Sequence, residues 1–65
     1  MPNIIVELTQ EKARVKALLW QFDYVVRAQA ERALKFADQY MAMNDLEGMK
    51  DSLEELRLFT KGQKK

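Results

Sequence analysis

Between Thr9 and Asn44 the sequence contains no glycine, proline or asparagine. Chain reversals draw on those residues, so their absence constrains the fold more than any other feature and predicts one continuous helix from Thr9 to Met43. Alanine supports helix at Ala13, Ala17, Ala28, Ala30, Ala33, Ala37 and Ala42. Such a helix would be about 50 Å long at ~1.5 Å per residue. Thr9 stands where an N-cap belongs, with Glu11 in the first turn. One stretch is ambiguous. Leu18, Trp20, Phe22, Tyr24 and Val26 alternate with Leu19, Gln21, Asp23 and Val25, which is also a strand pattern. Helix-forming segments flank it on both sides without a turn signal, so it is read as helix.

Along that helix Val15, Leu19, Phe22, Val26, Gln29, Ala33, Phe36, Tyr40 and Met43 follow a heptad seam. A second stripe, Ala30, Leu34, Ala37 and Met41, runs beside it. After Met43 the phase changes. Leu46, Met49, Leu53 and Leu56 begin a new apolar set, and Asn44 with Glu47 resembles a capping box. A second helix to about Phe59 is predicted, folded back antiparallel on the first. Its Glu47, Asp51, Glu54 and Glu55 would then lie near Arg27, Arg32 and Lys35. Before Thr9, Ile4, Val6 and Leu8 alternate as one face of a strand. The expected organisation is an extended arm over 1–8, a helical hairpin over 9–61 and a basic tail over 62–65.

The short second helix would cover only the C-terminal half of the first. Val15, Leu18, Leu19, Trp20, Phe22, Tyr24, Val25 and Val26 would be left without a partner in their own chain, forming a patch larger than a monomer normally exposes. The fold expected is therefore all-α: a long helix plus a shorter antiparallel one, assembled as a dimeric helical bundle. These eight residues are the candidate protein interface. They serve either as the core of a homodimer or as a docking site for a different protein, since Trp and Tyr are common interface anchors; both readings stay open.

Chemistry is scarce. The 65 residues include no cysteine and no histidine, which removes disulfides, thiolate metal sites, the usual general base and the commonest metal ligand. Asp23, Glu31 and Asp38 lack the Glu-x-x-His context of di-metal bundles. No catalytic, cofactor or metal site is expected, and no enzymatic activity. A domain this small is marginally stable, and a 48% hydrophobic content argues against disorder. The net charge of +1 does not by itself imply nucleic-acid binding, and Lys12, Arg14 and Lys16 are read as a solvated helix face. No apolar run suits a membrane span, and Met1 to Leu8 lacks the pattern of a secretory signal, so a cytoplasmic setting without membrane association is expected.

Two resemblances bear on function. Ile4-Ile5-Val6-Glu7-Leu8-Thr9 resembles the opening of the ribbon–helix–helix repressors and antitoxins, which implies a DNA-binding regulator reading bases from the strand. The outward positions, Asn3, Ile5 and Glu7, carry no basic residue, and that family's short first helix has no counterpart. Val6 to Glu11, with Gln29-Ala30, Leu34 and Gln39-Tyr40-Met41, resembles the phycobilisome-degradation adaptors of cyanobacteria, which implies a small helical dimer that tethers proteins. There the Arg-Glu pair expected after the methionines is Asn44-Asp45. The expected function is a small non-enzymatic protein-binding module: an adaptor, inhibitor, chaperone or regulatory subunit. It would form a homodimer and bind another protein, with nucleic acid disfavoured. The alternative is the ribbon–helix–helix-like regulator.

Overall fold

The protein, seen in a computed structural model that describes residues 3–61, is all-α. Helix α1 spans Ile4–Leu18, α2 spans Tyr24–Met43 and α3 spans Leu46–Lys61, with a 3-10 turn at Leu19–Gln21. No strand occurs among the described residues. The residues expected as a basic tail, 62–65, lie outside them.

Of the extended arm expected over 1–8, residues 4–8 are instead the first turns of α1, and residues 1 and 2 lie outside the described residues. Asn3 is the N-cap. Its side-chain oxygen accepts from the Ile5 N–H at 2.9 Å, and its carbonyl accepts from the Glu7 N–H at 2.9 Å. Thr9, expected as the cap, is a mid-helix surface residue. The β-branched run Ile4-Ile5-Val6 costs helix propensity of only ~0.5 kcal/mol per residue. Burial outweighs that cost. Leu8 is fully buried whereas Val6 is 50% exposed, a division that helical spacing produces and strand alternation does not.

The single long helix is also corrected. The chain reverses at Leu19–Asp23 and starts a new helix at Tyr24. Phe22 (φ −78, ψ 146) and Asp23 (φ −71, ψ 176) are extended, and among the described residues only Asn44 has a positive φ. A reversal built from 3-10 and extended residues needs no left-handed position, so the lack of glycine and asparagine does not forbid it. What favours it is cover. Folding α1 back buries Leu8, Val15 and Phe22 against the other helices, together worth roughly 5–9 kcal/mol.

The second reversal falls where expected, with its residues in different roles. Asn44 (φ 57, ψ 39) is the left-handed residue that ends α2. Its N–H donates to the Met41 carbonyl at 3.2 Å, and the Asp45 N–H donates to the Tyr40 carbonyl at 3.0 Å, a Schellman ending. Asp45, rather than Asn44, caps α3 by accepting from the Gly48 N–H at 3.1 Å. Gly48 allows the two helices to close immediately: a Cβ there would overlap Tyr40 Cδ1 and lie 2.6 Å from its Cγ.

Helix α3 packs on both α1 and α2. The core combines Leu8, Val15 and Phe22 with Ala30, Ala33, Leu34 and Ala37 of α2 and Met49, Leu53 and Leu56 of α3. The α2 stripe expected as secondary is therefore the main one, while Phe36 and Met43 from the predicted seam are 44% and 63% exposed. The break at Leu19–Asp23 resets the phase, so a seam counted through it does not stay on one face.

Polar contacts between helices are few. Lys12 pairs with Asp38, and Arg57 lies 3.6 Å from Glu7. Glu11 is buried, accepting from Arg14 Nη1 at 3.0 Å, with the Thr60 hydroxyl 3.0 Å from its other oxygen. None of Glu47, Asp51, Glu54 or Glu55 forms an ion pair with Arg27, Arg32 or Lys35 among the described residues.

Candidate functional site

The corner between α1 and α2 divides the eight interface candidates. Val15 and Phe22 belong to the chain's own core. Leu18, Leu19 and Val26 are partly buried against it. Trp20, Tyr24 and Val25 point into solvent, with exposures of 74%, 85% and 60%. The cover that sequence reasoning assigned to a second molecule comes, for the first five, from α1 folding back on α3. That could not be read without knowing that the helix breaks. Asp23 was the available signal: it is a preferred N-cap residue just before Tyr24-Val25-Val26.

The corner is fixed by its polar groups. The Asp23 side chain accepts from the Val26 N–H at 2.9 Å, and its carbonyl accepts from the Arg27 N–H at 2.8 Å. The Phe22 N–H donates to the Leu19 carbonyl at 3.2 Å. Arg27 reaches back across the turn, with Nε 3.1 Å from the Leu19 carbonyl oxygen and Nη2 3.4 Å from that of Phe22. These bonds satisfy carbonyls left open where α1 ends. Beneath them Phe22 packs on Phe59 with ring centroids 6.0 Å apart. Trp20 and Tyr24 therefore project from a backbone held at several points, with Phe22 between them turned inward.

The surroundings are basic. Arg14 and Lys16 in the last turns of α1, Arg27 near the start of α2 and Lys61 at the end of α3 all lie at this end of the bundle, against the exposed Asp23, which caps α2, and the buried Glu11, which pairs with Arg14. The opposite end carries Asp38, Asp45, Glu47 and Asp51 against Lys35 and Lys50.

Other chemistry is thin. No group of three or more Asp or Glu side chains is placed to hold a metal ion among the described residues. No described helix is long and apolar enough to cross a membrane. The segment that resembles the ribbon–helix–helix opening is helical, so it offers no strand to contact bases. A shallow groove of about 380 Å³ runs between α2 and α3, lined by Arg32, Phe36, Tyr40, Asp51, Glu55 and Phe59 among others; its mixed charges and open shape suit a surface contact better than a small molecule. Comparison with known proteins finds no match: no family model fits the chain, and no curated protein and no solved structure is similar to it.

Proposed function

We propose that this protein is a non-enzymatic protein-binding module that docks another protein on the corner formed by Trp20, Tyr24 and Val25. The observation that carries the reading is the pairing of high exposure with a fixed backbone. Two large aromatic side chains stand in water on a turn pinned by Asp23 and Arg27. Burying each against a partner would contribute roughly 1.5–3 kcal/mol, and little backbone entropy is lost because the corner is already ordered. Trp, Tyr and Arg are also the residue types that dominate interface energies. The basic end favours a partner with an acidic rim, which would speed association more than tighten it. An adaptor, inhibitor, chaperone or regulatory subunit would each use such a surface, and the proposal retains the cytoplasmic setting expected from composition.

The test is a comparative pull-down from nuclease-treated lysate with wild type, the Trp20→Ala/Tyr24→Ala double variant and a control, Leu58→Ala, at an exposed position of α3. The expected result is a stoichiometric protein held by wild type and control and lost by the double variant. Retention of the same proteins by all three baits would reject the corner as the docking surface.

A further inference from the structure

The groove between α2 and α3 has unlike walls. On the α3 side stand Asp51 and Glu55, four residues apart and so on one face of the helix. Both are exposed, and neither forms an ion pair among the described residues. On the α2 side stand Phe36 and Tyr40, whose rings stack with centroids 6.5 Å apart and planes 27° from parallel. The small buried residues Ala33 and Ser52 line the groove between them.

Ser52 is 2% exposed, yet its hydroxyl makes no hydrogen bond among the described residues. No fully enclosed side-chain oxygen in them lacks a partner, so this hydroxyl opens onto the groove that Ser52 lines. A buried polar group without a bond in its own chain is one that a ligand can satisfy. The groove therefore offers two unpaired carboxylates, a hydroxyl oxygen deep between the helices, and two aromatic rings.

We infer that this groove receives a single arginine side chain of a partner protein. A guanidinium is planar and weakly hydrated, carries its donors in a fixed fork, and stacks on aromatic rings. It would donate to the Asp51 and Glu55 carboxylates and to Ser52 Oγ while lying against Phe36 and Tyr40. A lysine ammonium is a compact, strongly hydrated point charge that uses the rings and the fork of acceptors less well. Arg32 also lines the groove and sets one positive charge against the two carboxylates. It opposes a run of basic residues, so the groove suits one arginine rather than a polybasic segment. Exposed charge pairs contribute little each, so one arginine alone binds at about millimolar strength and acts as part of a larger contact. The inference does not rest on the Trp20 and Tyr24 corner.

The test is titration of the 15N-labelled full chain with a blocked Gly-Arg-Gly peptide at constant ionic strength, read by amide chemical shifts, with circular dichroism as the folding check. Matched peptides carrying lysine or the neutral isostere citrulline are run beside it. The arginine peptide is expected to give saturable shifts confined to residues 29–40 and 48–59. Lysine should bind about threefold more weakly or less, and citrulline should not bind. Asp51→Asn and Glu55→Gln should each weaken arginine binding by about threefold or more. Ser52→Ala, which leaves the surface charge unchanged, should weaken it by about twofold to tenfold. Glu54→Gln, at an exposed acid outside the groove, and Trp20→Ala/Tyr24→Ala should bind as wild type does. Shifts spread over the whole surface, equal binding of the lysine or citrulline peptide, or a Ser52→Ala protein that binds as wild type does would overturn the inference. The peptide comparison is made on the unaltered chain, so it decides even where a variant fails to fold.

Discussion

Phe22 packs against Phe59 with ring centroids 6.0 Å apart and planes tilted by 42°, and this contact closes the corner between α1 and α2 onto the end of α3. One phenyl ring thereby links all three helices. Phe22 itself is 4% exposed although both of its neighbours in sequence face solvent.

Phe22→Ala should therefore be among the most damaging single changes. A loss of about 3–5 kcal/mol is expected for a buried phenylalanine, comparable to the whole stability of a domain this small. Urea denaturation followed by circular dichroism should show a chain largely unfolded without denaturant. A stability loss below about 1 kcal/mol would mean that Phe22 does not sit in the core.

Gly48→Ala tests the close approach of α2 and α3. Alanine gains roughly 1 kcal/mol of helix propensity over glycine, yet here its Cβ would run into the Tyr40 ring. The overlap should dominate, for a net loss of about 1–3 kcal/mol. Combining it with Tyr40→Ala should cost less than the two single changes added, and a double-mutant cycle measures that coupling. Simple additivity would show that the ring moves aside freely.

Asp23→Ala removes the acceptor of the Val26 N–H and should destabilise by about 0.5–2 kcal/mol, whereas Asp23→Asn or Asp23→Ser should recover most of the loss. The readout is the midpoint of thermal unfolding. Equal effects from Ala and Ser would point away from capping.

Trp20→Ala and Tyr24→Ala should leave stability within about 0.5 kcal/mol, because neither side chain is buried. Denaturant midpoints check this directly. A large loss from either would mean that the corner relies on these aromatics for the fold, and that they are not free for a partner.

The all-α class, the α3 apolar set and the turn at Asn44-Asp45 were all legible in the sequence, because each depends on neighbours within one or two helical turns. Helix spacing identifies Met49, Leu53 and Leu56 as one face without reference to anything they touch. The exposure of Trp20, Tyr24 and Val25 was foreshadowed by an apolar excess around them, though not its division from Phe22 and Val15. The break at Leu19–Asp23 was not legible. Its dihedrals are open to any residue, so no glycine, proline or asparagine marks it, and Asp23 alone is a faint signal. Tertiary packing decided it: a continuous helix satisfies local propensity, but only the broken one lets α1 bury Leu8 and Val15 on α3. The same competition turned Ile4 to Leu8 from a strand pattern into helix, since a few tenths of a kcal/mol of β-branched propensity per residue is smaller than the burial of one leucine. Local sequence thus determined the all-α class, the apolar face of α3 and where the second turn lies. Which helix covers which, and hence which aromatics remain free, followed from the largest apolar area that one short chain can hide from water.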